Sequence, residues 1–72
     1  MIKIRIADVE KDIDYLESTI PTLPRIGDNI GFWCVNKFGD NVWQIGIVEY
    51  LVYEFDEDNE FQMVEISVKG IQ

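Results

Sequence analysis

The run Val42-Trp43-Gln44-Ile45-Gly46-Ile47-Val48-Glu49-Tyr50-Leu51-Val52-Tyr53-Glu54-Phe55, broken by Asp56-Glu57-Asp58-Asn59-Glu60 and resumed at Phe61-Gln62-Met63-Val64-Glu65-Ile66-Ser67-Val68-Lys69-Gly70-Ile71, decides the fold. Both long runs are strand-like, and the polar, acidic interruption between them reads as a hairpin loop. Setting Phe55 against Phe61 pairs Val52 with Val64, Tyr50 with Ile66 and Val48 with Val68, which makes one face wholly apolar and marks Tyr50 as core. A slip of one residue sets Val52 against Glu65 and Tyr50 against Ser67 and loses the stripe, so the uniform register is expected. The other face is then polar at one end, with Glu49 facing Ser67 and Ile47 facing Lys69, and apolar at the tip, with Tyr53 facing Met63. An apolar pattern that changes face along a ribbon indicates a twist or bulge and two packing surfaces, as in the strands of a small barrel.

Upstream, residues 30–35 form another strand-like run that ends in Lys37-Phe38-Gly39-Asp40-Asn41, whose Gly and Asn suit positive φ, so a second hairpin joins it to the run starting at Val42. Residues 21–31 gather Pro21, Pro24, Gly27, Asp28 and Asn29 and read as a connecting loop. At the N-terminus Ile2, Ile4 and Ile6 recur at period two around Lys3 and Arg5, a strand. Residues 8–20 admit two readings. Val9, Ile13, Leu16 and Ile20 fall at helical spacing behind Asp8 as a cap. Alternatively the chain turns back at Glu10, Lys11 and Asp12, placing Ile6 opposite Leu16, Ile2 opposite Ile20 and Arg5 opposite Glu17. The hairpin is preferred, because Thr19 and Ile20 are β-branched and Ile20 precedes Pro21.

Seventy-two residues make one domain, 1–72, too small to enclose a large active site. With 47% hydrophobic residues the chain has enough apolar content to fold. Histidine is absent, which removes the usual general base and the commonest transition-metal ligand, so the expectation is a non-enzyme with no catalytic residues, no metal and no cofactor. The lone Cys34 reads as a small buried hydrophobe and, without a disulfide partner, points to a reducing, cytoplasmic setting. No signal-peptide core or 18-residue apolar stretch directs the chain to a membrane.

Fourteen acids against six cations give a net charge of −8, which favours partners with a basic or neutral surface and excludes the cationic track that direct nucleic-acid binding needs. Ten of the fourteen acids fall in residues 8–17 and 54–60, and if the two hairpins lie side by side their tips form one negative surface. The acidic loop 56–60 begins like a calcium loop, but Phe61 and Ser67 occupy the places that require Gly and Glu. It reads instead as a solvated tip that deters edge pairing. The carboxylate pairs Asp12/Asp14 and Glu54/Asp56 share a strand face but lack a cleft to shift one of them.

The aromatic load divides in two. Trp43 is grouped with Ile45 and Ile47 as packing, whereas Tyr53, Phe55, Phe61 and Met63, with Trp33 as an accessory, are the candidate protein-binding residues. That group is either an exposed apolar patch rimmed by acids or core covered by residues 8–20.

The loop Leu23-Pro24-Arg25-Ile26-Gly27-Asp28-Asn29-Ile30, together with Gly46-Ile47-Val48-Glu49-Tyr50 and the closing strands, resembles small uncharacterised bacterial and phage-borne proteins with a Src-homology-3-like barrel. Locally, Gly27 allows positive φ, Asp28 can accept backbone N–H bonds, and Ile30 begins the core of the next strand. The resemblance covers about residues 20–71 and implies a fold more than a role. The Ala-Leu-Tyr-Asp-Tyr stretch of polyproline binders is not found, so polyproline recognition is not implied.

The expected architecture is therefore mainly β, a small antiparallel five- to six-stranded, partly open, Src-homology-3-like barrel. The expected role is a non-enzymatic binding module that contacts another protein through its last hairpin. The alternative is an acidic inhibitor or nucleic-acid mimic that occupies a basic cleft on a nucleic-acid enzyme. Edge strands and an apolar tip also allow a homodimer, which would bury Phe55 and Phe61.

Overall fold

The computed structural model describes residues 1–70 and contains five strands: β1 (Ile2–Asp8), β2 (Ile13–Ile20), β3 (Asn29–Val35), β4 (Asn41–Phe55) and β5 (Phe61–Lys69). They form one sheet in the order β2-β1-β5-β4-β3, curled into a nearly closed barrel. Three pairings are antiparallel; the exception is β1 with β5, which run parallel with Ile4 beside Val64 and Ile6 beside Ile66. The arrangement is thus a mixed barrel, where the alternating patterns alone had implied an antiparallel one.

Residues 8–20 fold as the hairpin. Ile2 pairs with Ile20, Arg5 with Glu17 and Ile6 with Leu16, as the apolar periodicity requires. Local chemistry holds the reversal in place: Asp8 Oδ1 accepts from the Lys11 amide, the Asp12 amide donates to the Val9 carbonyl, and Asp12 takes a left-handed φ of 54°. Asp and Asn tolerate that region better than other side chains.

β5 lies at the centre of the sheet, and its inward residues Val64, Ile66 and Val68 are fully buried with Ile4, Ile6, Phe32, Cys34 and Val48. Each of the Val, Ile and Phe side chains among them contributes roughly 1.5–3 kcal/mol through its removal from water. β2 and β3, the two edges, do not share a ladder. They meet through side chains instead: the Tyr15 ring of β2 lies 5.5 Å from that of Phe32 in β3, tilted by 47°. Cys34 is a free, buried thiol, as its place in an apolar run predicts.

The long hairpin departs from the uniform register. Val48 pairs with Val68 and Phe55 with Phe61 as expected, but between them Tyr50 faces Ser67, Leu51 faces Ile66, Val52 faces Glu65 and Tyr53 faces Val64. Two bulges, one at Glu49 in β4 and one at Gln62 in β5, open and then cancel a one-residue slip. The slipped register is tolerable because Leu51 replaces Tyr50 as the inward residue opposite Ile66, so the apolar stripe survives. Tyr50 is accordingly half-buried beside Ser67 on the outer face.

The bulge at Glu49 also reverses which residues of β4 face inward. Before it Val48 points into the barrel and Trp43, Ile45 and Ile47 point out; after it Leu51 points in. Trp43, Ile45 and Ile47 are therefore exposed, correcting their assignment to the core.

Because β1 and β5 are parallel, the turn after β1 and the loop before β5 lie at opposite ends of a body 38 × 25 × 24 Å in extent. The two acidic tips do not form one surface.

Candidate functional site

Two exposed apolar surfaces occur at opposite ends of β4. The first is the tip of the β4–β5 hairpin. Tyr53, Phe55 and Phe61 are 55%, 57% and 46% exposed, so residues 8–20 do not cover them. Phe55 and Phe61 stay paired across the ladder, their rings 5.9 Å apart and nearly perpendicular at 76°, the edge-to-face geometry that ring quadrupoles favour. Met63, expected to join them, is buried and faces Glu54 across the ladder, because the bulge at Gln62 turns it to the other side of the sheet. The tip patch is thus a trio.

The adjoining acidic loop is ordered by one residue. Asp56 Oδ1 accepts from the amides of Asp58 and Glu60 at 2.9 and 3.0 Å, and Oδ2 accepts from Gln62 Nε2 at 3.0 Å. The Asp56 amide donates to the Glu60 carbonyl, the Asn59 amide donates to the Asp56 carbonyl, and Asn59 takes a φ of 62°. Glu57, Asp58 and Glu60 consequently project from a fixed turn into solvent beside the aromatic trio.

Glu54 is anchored differently. On the outer face, Arg5 Nη1 donates to Glu54 Oε2 at 3.2 Å and to Glu65 Oε1 at 3.5 Å, tying β1, β4 and β5 together. Burial alone would lower the Arg5 pKa, but the Glu54 charge, the hydrogen bond to Glu65 and the nearby Asp14 outweigh it and the net shift is upward.

The second surface is the outer face of the β3–β4 hairpin. Its ladder sets Asn29 against Ile47, Gly31 against Ile45, Trp33 against Trp43 and Val35 against Asn41. Trp33 is 59% and Trp43 49% exposed, with their rings 5.5 Å apart, and Val35, Ile45 and Ile47 are exposed beside them. Trp33, expected as an accessory to the hairpin tip, belongs here on β3, and its cross-strand partner Trp43 lies at the opposite end of β4 from Phe55. This face went unrecognised in the sequence, although one signal pointed to it. Trp33 and Cys34 are neighbours on a strand, so a buried Cys34 requires an outward Trp33, and the turn at residues 36–40 places Trp43 directly opposite.

A cleft of about 770 Å³ lies under the connecting segment between β2 and β3, lined by Ile20, Leu23, Pro24 and Ile30. Its floor of Ile4, Ile6 and Ile66 is the barrel core, and none of the five expected binding residues lines it. That segment is shaped as its loop chemistry predicts: Gly27 has a φ of 95°, Asp28 Oδ2 accepts from the Arg25 amide at 2.8 Å, and the Gly27 amide and Asp28 carbonyl bond to Val48. Among the described residues there is no grouping of three or more Cys, Asp or Glu side chains able to hold a metal ion, and no helix long and apolar enough to cross a membrane. No family model, curated protein or solved structure matches this chain.

Proposed function

We propose that the protein is a non-enzymatic binding module that docks the Tyr53, Phe55 and Phe61 tip onto a basic surface of a partner protein. The carrying observation is the exposure of three large rings, two of them in edge-to-face contact, beside an acidic loop whose backbone is ordered by Asp56. Rigid aromatic anchors give contact area at little entropic cost, and the surrounding carboxylates steer a cationic partner and reject an acidic one. Residues 54–60 hold five acids and no cation, and among the described residues only Glu54 of them is paired, with Arg5, which supports a preference for a basic partner. The free, buried Cys34 suits a reducing compartment, and the module is assigned to the cytoplasm. The separation of the two acidic tips favours this local docking over mimicry of a nucleic acid, which presents charge continuously along its length.

The reading is tested by capturing proteins with the wild-type chain and with a Phe55→Ser/Phe61→Ser double variant, then mapping amide shifts as the captured protein is titrated in. A partner lost in the double variant, released by salt and shifting residues 53–61 supports the assignment. Equal capture by both chains, or shifts confined to residues 24–29, overturns it.

A further inference from the structure

The outward side of the β3–β4 hairpin presents eight positions: Asn29, Gly31, Trp33 and Val35 on one strand and Asn41, Trp43, Ile45 and Ile47 on the other. None is charged, in a chain with 20 charged residues among 72 (six cations plus fourteen acids). The rim carries Lys37 and Asp40 in the turn, Asp28 before β3, and Lys69 across the ladder from Ile47, whose Nζ lies 3.8 Å from Glu49 Oε1. The face is therefore an electrically neutral island on a molecule of net charge −8.

We infer that this face is a homodimer interface, with a second copy of the chain as its occupant. Two copies of charge −8 repel wherever their acids approach, and this apolar face, whose eight outward positions hold no acid, is where they can meet. A heterologous partner steered by charge finds no charge on this face to steer it. Its size fits as well. With large aromatic side chains covering roughly 150–250 Å² each, the exposed parts of the two indoles and three aliphatic chains supply on the order of 500 Å² per copy. Two copies face to face then bury about 1,000 Å² of apolar surface, the threshold for a specific interface. The Trp43 ring packs closely on Gly31, where a Cβ would stand 2.7 Å from Cη2, so the absence of a side chain at Gly31 is what gives the ring its seat. Trp33, Val35, Ile45 and Ile47 are exposed around it, and a two-fold contact between copies sets the same residues on both sides of the interface. The inference is independent of the role of the tip, and it leaves Tyr53, Phe55 and Phe61 free, so that the dimer carries two copies of the docking tip.

The test is the mass of the full chain by sedimentation velocity from about 1 μM to about 1 mM, a span chosen to cover weak self-association. The wild type is expected to pass from monomer to dimer with a blue shift of tryptophan emission. Added salt should strengthen the dimer by screening the repulsion between copies, whereas it weakens tip docking to a basic partner. Ile45→Lys, an exposed substitution that spares the core, should weaken dimerisation more than about tenfold with an unchanged circular dichroism spectrum. Phe55→Ser/Phe61→Ser should dimerise like the wild type. A wild-type chain that stays monomeric across the range, whatever other protein it binds, overturns the inference, as does a dimer that survives Ile45→Lys or is lost in the tip variant.

Discussion

The Trp43 indole rests on the backbone of Gly31, a neighbour of its direct cross-strand partner Trp33. Only glycine leaves room, and here the reason is contact rather than backbone angle. Gly31→Ala should cost about 1–3 kcal/mol if the ring stays. The ring is half-exposed and free to lift, so the expected outcome is a smaller stability loss with displacement of Trp43. Loss of exciton coupling between the two indoles in the circular dichroism spectrum, with a small drop in the urea midpoint, checks it.

Tyr15 joins β2 to β3, and its environment makes it sensitive to alkali. Burial above all, and then the charges of Asp8 and Cys34, push its phenol above the ordinary tyrosine value. The folded chain holds this proton more tightly than the unfolded chain, so below about pH 10 both forms are protonated and the group gives stability no pH slope. As pH rises past that value the unfolded chain loses the proton first and stability falls. Tyr15→Phe should lessen the alkaline fall measured by urea denaturation at successive pH values; an identical profile in the two proteins would refute the assignment.

Gln44 faces inward opposite Phe32, and its Oε1 is buried without a hydrogen-bond partner among the described residues. An unmade hydrogen bond of this kind costs about 1–3 kcal/mol. Gln44→Met keeps the length of the side chain and removes the acceptor, so thermal denaturation should show a gain of about 1 kcal/mol.

Removing Arg5 leaves Glu54 and Glu65 facing a shared gap on the outer sheet. The three side chains are partly exposed, at 26%, 36% and 19%, so screening by water limits the effect of Arg5→Gln to about 1 kcal/mol. What then remains is repulsion between carboxylates, so the loss should shrink in molar salt. A loss insensitive to salt would mean that the aliphatic stem of Arg5, packed over the sheet, matters more than its charge.

Alternation made the strands and the first hairpin readable, because a one-residue error there would break the facing of Ile2 with Ile20 and Ile6 with Leu16, and the polar run 56–60 marked the Phe55–Phe61 closure. It could not reveal the compensating bulges. With Val48, Tyr50, Leu51 and Val52 all apolar, the uniform and slipped registers both offer an apolar partner to Ile66, and the choice is made by packing across the barrel. The parallel contact of β1 with β5 was equally hidden, since antiparallel and parallel neighbours share the same period. That contact sent the acidic tips to opposite ends. The exposed tip trio was legible as a group but not as a surface, because exposure depends on where residues 8–20 lie.

Asp56 separates the order of the acidic loop from its charge. Its two carboxylate oxygens collect the amides of Asp58 and Glu60 and the side chain of Gln62, all in solvent, where a hydrogen bond contributes about 0.5–1.5 kcal/mol. Asp56→Ala removes all three bonds and one charge; Asp56→Asn removes the charge but keeps an oxygen for the two amides. Amide exchange across residues 57–60 should accelerate strongly in Asp56→Ala and little in Asp56→Asn. If docking depends on a preorganised tip, partner affinity should follow the exchange rates and Asp56→Asn should bind nearly as well as the wild type. Equal losses in the two variants would show instead that the tip acts through the charge at Asp56 and that the fixed turn is incidental to binding.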